Sequence, residues 1–120
     1  GAKDVRVFDR TCNDPRRCYV QSGIQEAVER LKSERVKIEH MDRRAYRELD
    51  IANGKDLTRW SFYQPALDAD CFINLPVAKH HGISTLTLGM KNIMGVIGGN
   101  RGRLHQNIAE SLADINSVVN

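Results

Sequence analysis

From Cys71 to Ala109 the chain carries neither aspartate nor glutamate, and all 15 acidic residues lie outside that stretch. Aromatic residues are also scarce, with one Trp, three Tyr and three Phe. None is interleaved with the basic residues of the acid-free stretch, which argues against a base-stacking platform for nucleic acid. Cysteine is limited to Cys12, Cys18 and Cys71, with no C-x-x-C pair. That spacing excludes zinc or iron–sulfur ligation within this chain. Cys71 sits in an apolar run and reads as a buried thiol. Cys12 and Cys18 could pair in an oxidising compartment, but cysteine this sparse reads better as free thiols. No apolar run approaches the ~18 residues of a membrane span. No leader is visible, but the chain starts at Gly1 without Met and stops just after Val118-Val119, which resembles the start of a strand. It therefore reads as an excised piece of a larger protein, cytoplasmic or exported.

What the stretch holds instead is cationic and glycine-rich. Lys79, Lys91, Arg101 and Arg103 lie in it with His80, His81 and His105. Gly82, Gly89, Gly95, Gly98, Gly99 and Gly102 let backbone amides approach a ligand closely. Cations and open backbone with no acid to neutralise them suit an anion such as phosphate or carboxylate. The formal net charge is only +3, so placement of the charge carries this argument and its size does not. Gly98-Gly99-Asn100-Arg101-Gly102 is neither a G-x-G-x-x-G nor a Walker loop, so it gives no nucleotide signature.

At 120 residues the chain fits one domain with a modest core. Val5–Phe8 alternates as a strand, and a polar, turn-rich segment follows. Ser22-Gly-Ile-Gln25 matches a capping box opening a helix over Gly23–Lys32, and Val36–Met41 reads as a second strand. Strand–helix–strand order at this spacing predicts a parallel pair. Tyr46–Ile51 reads as a short helix or irregular, Arg59–Tyr63 as a short strand, and Pro65–Ala69 as one helical turn. Cys71–Leu75 reads as a buried central strand ended by Pro76. Helices are expected over Ser84–Val96 and Leu104–Asn116. The expected fold is α/β, a three-layer, mostly parallel, Rossmann-like sheet with flanking helices.

In such a sheet ligands bind outside the carboxyl ends of strands, where Asn74, Lys79, His80, His81 and Gly82 would emerge. Lys79 would act as a point charge, and one histidine as a hydrogen-bond donor or proton shuttle. Neighbouring His80 and His81 point in different directions, so only one reaches the site. Arg101 and Arg103 offer forked guanidinium groups for carboxylate or phosphate. Met90 and Met94 read as core, His105 as a surface residue, and Lys91-Asn92 as the exposed face of a helix.

The segment Ala69-Asp70-Cys-Phe-Ile-Asn74-Leu-Pro76-Val-Ala-Lys79-His-His81-Gly82, followed by Gly89-Met-Lys91-Asn92-Ile-Met-Gly95, resembles the "domain of unknown function 362" family. Its members share an Asn-x-Pro-x-x-Lys-x-His segment after an apolar strand, then Lys-Asn-x-x-Gly. Arg103, His105 and Ala113-Asp114 resemble the family's tail, and the specific likeness covers residues 65–116. Carried over, the signature positions are Asn74, Pro76, Lys79, His81, Lys91, Asn92 and Gly95. The resemblance favours His81 over His80 and turns Lys91 and Asn92 toward the site. It also implies an association with ferredoxin-like iron–sulfur domains, although any cluster would lie in a part of the parent outside this chain.

Two readings compete. In the first, His81 and Lys79 are catalytic candidates, and Asn74, Lys91, Asn92, Gly95, Arg101 and Arg103 bind a small anionic ligand. In the second, the domain docks an acidic partner, such as an electron-transfer domain of the same protein, through a flat basic surface with exposed Leu or Met.

Overall fold

A computed structural model of the chain describes residues 1–119. The contacts group into two compact units, Gly1–Met41 and Asp42–Asn120.

In the first unit, β1 (Val5–Val7) pairs in parallel with β2 (Val36–Ile38), Val5 opposite Val36 and Val7 opposite Ile38. Two helices connect them, α1 (Pro15–Gln21) and α2 (Ile24–Arg30). The parallel pair agrees with the sequence reading, but half of the polar segment before it is helical. Asp14 and Pro15 explain this. The Asp14 carboxylate accepts from the Arg17 amide at 3.0 Å, and proline takes the first helical position, where no amide is needed. The capping box does not form. Gly23, at φ 77°, breaks the chain between the two helices and is itself the cap of α2, while Gln25 turns outward to Glu29. Tyr19 is the buried anchor of this unit. Its hydroxyl accepts from the Asp9 amide at 2.8 Å and lies 3.0 Å and 3.2 Å from the Asp9 and Glu39 carbonyls, and its ring stacks on His40. Burial raises its phenol pKa.

The second unit is built on the antiparallel pair β3 (Tyr46–Asp50) and β4 (Arg59–Tyr63). Segment 46–51 was expected to be helical or irregular. Pairing overrides local preference there, with Tyr46 opposite Tyr63 (rings 5.3 Å apart) and Leu49 opposite Trp60. A short helix α3 (Gln64–Leu67) follows, close to the expected turn. Further on come the antiparallel hairpin β5 (Lys79–His81) and β6 (Thr85–Thr87), then α4 (Gly89–Asn92). A 3-10 turn over Ile93–Val96, a longer one over Arg101–Asn107 and α5 (Ile108–Asn116) complete the unit. The core gathers Phe62, Ile97, Leu104 and Ile115, all essentially inaccessible, with Ile51, Leu57, Ile93 and Val96 around them. Phe62 also bridges to Ile97.

Three expectations need correcting. The chain is mixed α/β, but its described strands form three two-stranded sheets, of which only β1–β2 is parallel, in place of a three-layer sheet. Cys71–Leu75 is not a buried strand. Residues 71–78 belong to no strand, Cys71 is exposed, and Ile73 and Leu75 are 71% and 81% exposed. Lys79 and His81 accordingly lie on a hairpin and not at the carboxyl edge of a parallel sheet. The single helix over Ser84–Val96 is replaced by β6, α4 and a 3-10 turn. β-branched Thr87 favours the strand, and Gly89 and Gly95 weaken a continuous helix. The helix expected over Leu104–Asn116 is α from Ile108, and Val118 closes a turn on Ile115.

Candidate functional site

Alternation along β5 sorts its side chains. Lys79 and His81 share one face of the hairpin with their partners Thr87 and Thr85, while His80 and Leu86 share the other. Thr87 is buried and donates to the Lys79 carbonyl at 3.1 Å, and His81 is half-buried, while Lys79, His80 and Thr85 are exposed. His81 is thus the more enclosed of the two histidines.

The ring of His81 is fixed by the hairpin turn. Its Nδ1 accepts from the amides of Ile83 and Ser84, both at 3.2 Å. The neutral ring therefore carries its proton on Nε2. On its other side the ring stacks on His105, with centroids 5.5 Å apart and planes at 22°. His105 Nε2 lies 3.3 Å from Lys91 Nζ, and Lys91 also reaches Met94 Sδ at 3.5 Å. An ammonium can only donate, so the His105 lone pair receives it.

Asn74 and Asn92 join one step away. Asn92 donates to Asn74 Oδ1 at 2.7 Å, and Asn74 donates to the Gly89 carbonyl at 2.9 Å. α4 thus presents Lys91 to the histidines and Asn92 to the arm at Asn74. Asn116 donates to the Met90 carbonyl at 3.0 Å and ties α5 to α4.

No carboxylate is among the groups that shift the His81 pKa. Partial burial lowers the pKa of His81 first, and the charges of Lys91, His105, His80 and Lys79 lower it further. The sign of the stability effect follows. A folded pKa below the unfolded value of about 6.5 gives stability that is present above that pH and lost as pH falls through the folded value. We expect the melting temperature to drop as pH falls below about 6.5, with a shallower drop in His81→Gln. Equal slopes in the two proteins would show that His81 does not titrate this way.

Lys79, His81, Lys91, Asn74 and Asn92 therefore gather around α4 and the hairpin. Arg101 donates to the Met94 carbonyl at 3.3 Å, Arg103 is exposed, and Gly95 lies half-buried in the 3-10 turn. These three do not join the histidines through any described contact. His105 was read as a surface residue, yet it is the stacking partner of His81. Its place in the acid-free stretch and its resemblance to the family's tail were the sequence signals for it. Ser84 Oγ, at the turn that holds His81, is buried without a hydrogen-bond partner among the described residues. No group of His, Cys, Asp and Glu suited to a metal ion occurs among them either. None of their helices is long and apolar enough to cross a membrane.

The sequence profile of the family described as Domain of unknown function (DUF362) matches residues 1–120, the whole chain. The chain belongs to this family. The match extends the likeness well upstream of residues 65–116. No curated protein and no solved structure matches the chain. Of the DUF362 signature positions, Asn74, Lys79, His81, Lys91 and Asn92 fall on the hairpin, α4 and the arm leading to them. Pro76 stands exposed within that arm.

Proposed function

We propose that this DUF362 chain binds a small anion, a phosphate or a carboxylate, beside the β5–β6 hairpin. The observation that carries the proposal is the acid-free cluster in which Lys91 meets His105 and His105 stacks on His81. Lys79 and Lys91 supply the charge, and the neutral His81 offers a donor at Nε2. Asn74 and Asn92 are the polar groups that orient the ligand, with Arg101, Arg103 and Gly95 on its approach. The unpartnered Ser84 hydroxyl supports the reading, because a ligand oxygen would satisfy it. An anion here would raise the depressed His81 pKa, so binding takes up a proton and gives His81 an acid–base role.

Titration calorimetry and thermal unfolding with inorganic phosphate and with acetate, at fixed ionic strength, test this. One of the two should stabilise the chain by about 2.7 kcal/mol at a hundredfold excess over its Kd. Lys79→Ala and Lys91→Ala should each weaken binding about tenfold or more, the scale of a charged hydrogen bond. No stabilisation by either anion, or binding that survives Lys91→Ala, would overturn the proposal. Docking of an acidic partner is the second reading, favoured by the apolar side chains that the same stretch leaves in solvent.

A further inference from the structure

Two local costs sit side by side in the turn of the β5–β6 hairpin. Thr85 stands opposite His81 and has φ 58°, in the left-handed region. A β-branched side chain there is a conformational outlier, and glycine is the usual occupant. The Leu86 amide donates to the Ser84 carbonyl at 2.5 Å across Thr85. A bond of this span around a positive φ is the rare, strained form of the γ-turn. Ser84 adds the second cost. Its hydroxyl oxygen is buried with no hydrogen-bond partner among the described residues. Such states persist only where the surroundings impose them.

What imposes this one is the ring of His81. Its Nδ1 is the acceptor for two amides of the turn, those of Ile83 and Ser84, both at 3.2 Å. Only the neutral ring protonated on Nε2 offers a lone pair there. An imidazolium carries a proton on Nδ1, which would face two N–H groups and leave both without their acceptor. The turn has room on its outer side. Ile83 is 62% exposed, and a Cβ on Gly82 would meet nothing within 4 Å. The ionisable groups that act on the ring are Lys79 and His80 on β5, Lys91 on α4, and His105 in the Arg101–Asn107 turn. Each is a cation or becomes one on protonation, so none holds an imidazolium in the closed geometry.

We infer that the Gly82–Thr85 turn is a proton-operated clasp, closed on neutral His81 and released when the ring takes up a proton at Nδ1. Release returns Thr85 to negative φ and brings the Ser84 hydroxyl to solvent. The strain at Thr85 favours release, so one proton is enough to tip the balance. The clasp rests on the hydrogen bonds of the ring and not on anion binding. An anion that raises the His81 pKa would work the same clasp at a higher pH.

NMR of the full chain from about pH 8 to about pH 5, in chloride free of phosphate and carboxylate, tests this. The Ile83 and Ser84 amides should lose protection from exchange, and the Thr85 carbon shifts should move to those of negative φ. Both changes should share the midpoint of the His81 ring, which lies below the ordinary histidine value. In Thr85→Gly the closed turn loses its strain, so the shared midpoint should fall by about one pH unit. In His81→Gln the turn should show no change over the same range. Three results would overturn the inference: a His81 titration that leaves the turn unmoved, a turn that still responds to pH in His81→Gln, or a Thr85→Gly midpoint at or above that of the wild type.

Discussion

Asp114→Ala should lower the unfolding free energy by about 3 kcal/mol, the scale set by leaving buried amides without an acceptor. Asp114 is buried on α5, and its two oxygens receive the amides of Lys55, Asp56 and Leu57 at 3.0, 2.7 and 2.8 Å. Alanine removes all three acceptor contacts at once, and the Leu57 amide is fully buried. For a chain of this length the loss corresponds to a fall in melting temperature of about 12 °C. Asp114→Asn keeps one acceptor oxygen but turns an amide toward a donor, so it should recover only part of the loss. Burial pushes the Asp114 carboxyl up, but the amides of Leu57, Lys55 and Asp56 together outweigh it and leave the pKa below its ordinary value. The stability it contributes is therefore present above about pH 3.9 and lost as pH falls through the folded value. Urea unfolding at neutral and acid pH checks both points. A difference between wild type and Asp114→Ala that persists undiminished at the lowest pH would contradict this account.

Gly54→Ala should be comparably damaging, at about 3 kcal/mol. A Cβ at this position would overlap the Leu57 carbonyl oxygen and carbon and press on Ile51 Cγ2 at 3.2 Å. The obstruction is mainly backbone, so relief requires moving the turn whose amides Asp114 binds. Asp56 adds to the same anchor, accepting from Ser111 Oγ and from Asn107 Nδ2 at 3.2 Å. The two substitutions act on one network, so their combined effect should fall short of the sum. Denaturant midpoints of the two single variants and the double variant decide this, and strict additivity would show separate networks. His105 lies just ahead of α5, so loosening this anchor should also weaken anion binding, although neither Gly54 nor Asp114 touches the cluster.

Where local signals settle the outcome, the sequence was sufficient. Val5–Phe8 and Val36–Met41 alternate, and Val5–Val7 pairs in parallel with Val36–Ile38, whereas the helix that Asp14-Pro15 starts was read as a polar, turn-rich segment. Leu104 to Ile115 keeps a helical period that the chain realises in its α part from Ile108. The preference for His81 over His80 came from the family resemblance alone, and the hairpin that sets their alternation was not expected. What remained hidden depends on distant partners. Tyr46–Asp50 carries two acidic residues and an arginine, and only its register with β4 makes it a strand. Cys71–Leu75 has the composition of a buried strand, but composition cannot state what covers it. His105 joins the site because the Arg101–Asn107 turn and α5 bring it back to the hairpin, a contact 24 residues away in sequence from His81. Asp114 was visible only as part of the family tail, and its task as acceptor for an amide turn is a property of the folded chain.

The only tryptophan is placed as a natural optical gauge. Trp60 donates from Nε1 to the Gly98 carbonyl at 3.3 Å, and a Cβ on Gly99 would lie 3.6 Å from its ring. The next turn begins at Arg101, whose guanidinium grips the Met94 carbonyl beside Lys91. Any rearrangement of that turn alters the polarity felt by the indole. Its emission can therefore report on that turn without a label, in the same cuvette and at the same time as the unfolding of β4.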